Sequence, residues 1–230
     1  MWPRVIIIAA ATLACVTRSA AGIITELGDA GDMPNTAQST IGVSSLDAIS
    51  GTLSSYQDAD MFLIRIFDPA TFSATTDSAD TTAWDTQLFL FDAAGMGLVA
   101  NDDIGNGVGP YNPRSVLVAG SGLNPTAPGL YYLAVSGWDR DPHSSGGAIF
   151  TDDTYYTGSV GPLGPGGTQP ISGWDGDGSL NGGLGSYTIT LSGAQFSAVP
   201  EPTAALLLII AGVAAMPYWR RLRPARQVAT

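Results

Sequence analysis

The stretch Thr86-Gln87-Leu88-Phe89-Leu90-Phe91-Asp92-Ala93-Ala94-Gly95-Met96-Gly97-Leu98-Val99-Ala100 decides the fold class. Gln87 to Phe91 is a short run apolar on both faces, so it reads as a strand in the middle of a sheet. Asp92-Ala93-Ala94-Gly95 then turns the chain into Leu98-Val99, which makes a hairpin with Gly95 and Gly97 near its tip. Working outward, similar short segments rich in β-branched and aromatic residues recur between Gly, Asp, Asn and Pro clusters. They predict strands at Ala48 to Leu53, Met61 to Phe67, Thr71 to Thr75, Thr86 to Phe91, Gly97 to Ala100, Ser115 to Ala119, Leu130 to Ser136 and Tyr187 to Leu191. In Tyr131-Tyr132-Leu133-Ala134-Val135, Tyr131, Leu133 and Val135 share one face, and Pro128-Gly129 starts the strand. The expected fold is all-β: an antiparallel, jelly-roll-like β-sandwich of about eight strands. Residues 141 to 185 hold many Gly and Pro and no clear period. They read as a long surface excursion or insertion, with a short strand near Ala148 to Thr151.

Charge narrows the function classes. The 230 residues hold 20 acids, of which all but Glu26 and Glu201 are Asp, against 9 Arg and no Lys. Between residues 22 and 198 there are 19 acids and 3 arginines (Arg65, Arg114, Arg140), a balance of −16. Such a surface repels nucleic acid and anionic lipid, so no nucleic-acid partner is expected. Cys15 is the single cysteine and His143 the single histidine. Disulfides, zinc clusters, thiol nucleophiles and lysine chemistry are therefore poorly provided for.

Both ends read as addresses. Residues 1 to 21 combine Arg4, an apolar run from Val5 to Val16 and the small-x-small site Ser19-Ala20-Ala21, the pattern of a signal peptide cut before Gly22 by signal peptidase. At the other end, Val199-Pro200-Glu201-Pro202 precedes an apolar run from Ala204 to Trp219 and then Arg220-Arg221-Leu222-Arg223. About 16 apolar residues make a helix of roughly 24 Å, a marginal membrane span. Arginines beyond it would stay cytoplasmic. This three-part order resembles the PEP-CTERM sorting signal. The resemblance implies an exosortase partner acting on residues 199–223, a transmembrane helix over 203–219 and a cytoplasmic tail over 224–230. Whether the helix is removed or kept as an anchor, the resemblance implies that residues 22–198 are exported, by way of an inner-membrane intermediate, to the cell surface or extracellular matrix of a bacterium.

A second resemblance covers the exported part. Asp58-Ala59-Asp60-Met61-Phe62, Asp85-Thr86-Gln87-Leu88-Phe89-Leu90-Phe91-Asp92, Asn101-Asp102-Asp103, Pro128-Gly129-Leu130-Tyr131-Tyr132-Leu133 and Tyr187-Thr188-Ile189 follow the order of the bacterial pre-peptidase C-terminal domain, to which residues 25–195 are similar. That resemblance implies a β-sandwich module, calcium as cofactor, and ligands at positions matching Asn35, Asp58 and Asp60, with Asp32 close by. Met33 stands where the family has an acid. Asp58 and Asp60, at i and i+2, are expected on one face, where two like charges call for a cation or water.

Other constellations stay open. Asn101-Asp102-Asp103 with Asn106 is a second oxygen-rich cluster. Asp175-Gly176-Asp177-Gly178-Ser179-Leu180-Asn181 alternates oxygen ligands like an EF-hand loop, but Leu180 replaces the needed Gly and Ser186 the bidentate Glu. Trp84, Trp138 and Trp174, each followed by Asp, could stack on sugars or cap the core. His143 sits in a Pro-Ser-Ser-Gly segment read as a surface loop, and no Gly-x-Ser-x-Gly is present. The expected function is a non-catalytic surface or matrix protein. A carbohydrate-binding module for exopolysaccharide and an Asp-dependent hydrolase are the alternatives.

Overall fold

The computed structural model describes residues 22–76, 85–104, 112–123, 125–151, 158–176 and 185–198. Expectations for residues 1–21, the sorting segment 199–230, Trp84, Asn106 and Asp177 to Asn181 lie outside these residues.

The described chain is all-β. One sheet runs β1 (Ile23–Thr25), β3 (Ala48–Leu53), β13 (Gly185–Ser192), β5 (Ser73–Thr75), β8 (Val116–Leu117). A second runs β14 (Ala194–Phe196), β4 (Ala59–Ile66), β9 (Gly129–Gly137), β6 (Thr86–Phe91), β7 (Gly97–Asn101), with β2 (Gln38–Ser39) also on β4. Most pairs are antiparallel, but β1 pairs with β3 and β2 with β4 in parallel. The sheets are therefore mixed, where alternation alone suggested a purely antiparallel arrangement. Segments 26–37 and 40–47 carry the chain across so that β1 and β3, and then β2 and β4, run the same way.

Alternation sends one set of side chains between the two sheets. Phe62, Ile64 and Ile66 of β4, Leu88 and Leu90 of β6, and Leu133 and Val135 of β9 meet Ile49 of β3 and Tyr187, Ile189 and Leu191 of β13 in one apolar cluster. Burying each large side chain contributes about 1.5–3 kcal/mol. The alternate residues Ala59, Met61, Phe89, Phe91 and Ala134 face the other way. As its two apolar faces predict, β6 lies between β9 and β7 and is buried at every position.

That outer face is covered by the segment expected to be a surface excursion. Residues 141–151 and 158–175 supply a three-stranded sheet, β11 (Gly147–Ala148), β10 (Asp141–Ser144), β12 (Gly173–Asp175), and contribute Ile149, Phe150, Ile171 and Trp174 to a second core. Four apolar residues spaced among glycines and prolines suffice, because Phe89 and Phe91 present large rings to them: Phe89 lies 5.7 Å from Phe150 and 5.5 Å from Trp174 between centroids.

Candidate metal centre

Asp60 is the second residue of β4, opposite Val135 of β9. Its position in the alternation, two before Phe62, turns its carboxyl between the sheets, where its exposure is 0%. Oδ2 accepts the Tyr187 hydroxyl at 2.6 Å. Oδ1 is buried and has no hydrogen-bond partner. An unmet buried oxygen costs free energy, so some other group is needed beside it.

Two more carboxylates reach this point. Glu26 follows β1, and its N–H donates to Ser50 O at 2.8 Å, which extends the β1–β3 pairing by one residue. Its Oε1 accepts the Ala30 N–H at 3.0 Å and its Oε2 the Thr52 N–H at 2.9 Å. Asp29 Oδ1 accepts the Gly31 N–H at 3.2 Å. Gly31 O in turn accepts the Met61 N–H at 3.0 Å, which fastens the loop to β4. One oxygen from each of Glu26, Asp29 and Asp60 lies within 4.8 Å of the others. Gly51 makes room for the group. A Cβ there would strike the Tyr187 hydroxyl and stand 2.7 Å from Glu26 Oε2.

Burial pushes the Asp60 carboxyl up to about 8, and the charges of Glu26, Asp58 and Asp29 push the same way against the Tyr187 hydrogen bond. The Tyr187 hydroxyl is raised as well, first by burial and then by the Asp60 charge. At neutral pH the site therefore holds a proton or requires a cation. All of its donors are oxygens, the set preferred by a hard divalent ion such as calcium. The unspent Asp60 oxygen is the feature that fits such an ion.

Membership differs from the sequence expectation. Asp60 belongs to the group, but Asp58 does not. Asp58 precedes β4 and its Oδ2 accepts the Ser54 N–H, so it closes the turn before the strand and acts on Asp60 only through its charge. Asp32 is not among the carboxylates of the group either. The Asp32 carbonyl is taken by the Trp174 indole N–H at 2.7 Å. Asn35 is exposed in the turn closed by Thr36 N–H and Ala37 N–H on Met33 O. That turn seats Met33 against the second core. Glu26 and Asp29 stand with Asp60 instead, and the signal was Glu26 itself, the only Glu of residues 22–198.

A second group forms where the β6–β7 hairpin brings its ends together. Asp85 precedes β6, Asp102 and Asp103 follow β7, and one oxygen from each lies within 4.8 Å of the others. Asp85 and Asp102 are 6% and 7% exposed. Asn101, next to Asp102, holds the loop with its amide: its Nδ2 donates to Asp103 O at 3.1 Å and its Oδ1 accepts the Val116 N–H at 2.6 Å. Asp85 was the member missed, and counting register back from Leu88, opposite Asn101, places it there. A hydroxyl chain closes this end of β6: Thr86 Oγ1 lies 2.6 Å from Thr76 Oγ1 and 3.0 Å from Ser115 Oγ.

The remaining candidates are distributed differently. Trp174 is 7% exposed, edge-on to Phe89 and bonded to Asp32, so it serves the second core and offers no open face to a sugar. Trp138 is half-buried in the turn after β9. His143 sits on β10 rather than in a loop, with Nδ1 3.3 Å from Asp175 Oδ2. Among the described residues no hydroxyl bonds to its imidazole. The chain matches no protein-family model, and no curated protein is similar to it.

Proposed function

We propose that this chain is an exported, non-catalytic β-sandwich module of a bacterial cell surface or extracellular matrix, jelly-roll-like in arrangement and stiffened by a calcium ion held by Glu26, Asp29 and Asp60. An exosortase would sort and cleave it through Val199-Pro200-Glu201-Pro202 and Arg220, Arg221 and Arg223, with membrane contact through the C-terminal helix before cleavage. The observation that carries the reading is Asp60, a fully buried carboxyl with one oxygen bonded to Tyr187 and the other without a partner, beside two further carboxylates.

The ion's contribution would be structural. Bound between the segment after β1, which pairs with β3 of one sheet, and the start of β4 in the other, it would tie the two sheets at one end. It would also neutralise part of a −16 balance. Burial of Trp174 weighs against glycan stacking at that ring. Pairing of His143 with Asp175 and no described hydroxyl weighs against a hydrolase triad. A thermal melt of the purified protein in EDTA and in millimolar calcium tests the reading. Calcium at about 100 times its dissociation constant adds about 2.7 kcal/mol, a rise of about 5–10 °C at this size. Coincident melts would remove calcium from the account.

A further inference from the structure

The first described residue is a buried glycine whose nitrogen faces a carboxylate. The Gly22 N–H donates to Asp47 Oδ2 at 3.0 Å in a half-buried contact. Its carbonyl accepts the Asp47 and Ala48 N–H groups at 2.7 and 3.2 Å. A side chain has no space here: a Cβ would collide with the Ser45 carbonyl and stand 2.9 Å from Phe196 Cε2. Asp47 is itself fixed, since its carbonyl accepts the Leu191 N–H at 2.9 Å, and Leu46 beside it donates to Ala194 O at 3.0 Å. Strands β13 and β14 thus hold a carboxylate against one backbone nitrogen, the one that the signal-peptide reading places immediately after the cut.

We propose that Asp47 is a binding site for the α-ammonium created at Gly22 by processing, so that removal of residues 1–21 locks the new N-terminus into the fold. This rests on the export reading, with cleavage between Ala21 and Gly22. Hydrolysis by signal peptidase adds one water across that peptide bond: the carboxylate leaves with Ala21, and the amine stays on Gly22. With an ordinary pKa of about 7.7–8.0, that amine is mostly protonated at neutral pH. A neutral amide contact to a carboxylate becomes a charge-assisted one, which is shorter and stronger. The new charge joins only Arg65, Arg114 and Arg140 as cations among residues 22–198. A chain cut one residue earlier carries its ammonium about 3.8 Å further along the backbone. Its Gly22 nitrogen stays an uncharged amide.

The absence of lysine gives a direct test, because the α-amine is then the only primary amine in the processed protein. N-terminal sequencing of the exported protein identifies the first residue. The processed chain starting at Gly22 is then compared with one retaining Ala21, each with Asp47 and with Asp47→Asn, by the rate of acylation with an amine-reactive ester and by melting temperature. The Gly22 chain is expected to acylate about tenfold more slowly than the Ala21 chain and to melt about 2–4 °C higher. Both differences should vanish in Asp47→Asn. Equal acylation and melting of the two Asp47 chains, a comparison that needs no substitution, overturns the proposal alone, as does a difference that survives Asp47→Asn. A mature protein beginning at another residue overturns the proposal together with the cleavage reading beneath it.

Discussion

The two carboxylate groups border the same end of β9 but are assembled in different ways. Asp60 pairs with Val135 and Asp85 precedes Thr86, the partner of Gly137, so both acids flank the last residues of that strand. The Asp85, Asp102 and Asp103 group gathers the two ends of a single hairpin. The Glu26, Asp29 and Asp60 group is built by a loop crossing from one sheet to the other, and at its centre is an acid that burial pushes up to about 8. Hairpin closure can bring charges together as a by-product of register. Placing a carboxyl between two sheets carries a standing electrostatic cost, which a proton or a cation relieves, and the proposed calcium site rests on that cost.

The largest effect should come from removing that cost. An unfolded Asp gives up its proton near pH 3.9, whereas Asp60 keeps its proton up to about 8. Without calcium, stability should therefore fall as pH rises between these values and level off above the higher one, because the unfolded chain binds fewer protons. Asp60→Asn abolishes that fall, so in EDTA at pH 8 it should melt above the parent. Melts across pH check this, and parallel curves for the two proteins contradict it. Next in size is the calcium response of about 5–10 °C, which Asp60→Asn should eliminate. Tyr187→Phe then removes the 2.6 Å bond and leaves a second Asp60 oxygen unmet. Denaturant unfolding in EDTA at pH 6 should show a loss of about 1–3 kcal/mol. Smallest of all, Asp102→Asn in the other group should leave the calcium rise intact within about 1–2 °C, as expected for separate sites. A rise that disappears with Asp102→Asn would transfer the ion to the second group.

Local pattern made much of the fold legible. Ala48–Leu53 and Thr86–Phe91 occupy the spans that alternation and apolar content indicate. What was not legible depends on distant partners. β1, β2 and β14 are two or three residues long and have no pattern of their own; they are strands because β3 and β4 offer them edges. The excursion hid a core for a similar reason. Ile149, Phe150, Ile171 and Trp174 look scattered until Phe89 and Phe91 provide the surface that joins them, although two apolar faces on β6 already required a cover on each side. In the two carboxylate groups, the Asp102-Asp103 pair stood out by residue type and spacing, and Asp60 through the resemblance carried by its Asp-x-Asp segment. Asp29 had no local signal, Glu26 only its residue type and Asp85 only a register count that needs the pairing of Leu88 with Asn101, because crossing and register rather than proximity along the chain bring them in.

Calorimetric titration of calcium into the protein and into Asp60→Asn, at pH 7 in two buffers of different ionisation heat, tests the central claim most directly. Because Asp60 titrates at about 8, it is mostly protonated before the ion arrives. The parent should bind about one ion per chain and release close to one proton. The Asp60→Asn protein should do neither at the same concentrations. Undiminished binding by Asp60→Asn, or binding by the parent with no proton released, would contradict a calcium site centred on Asp60.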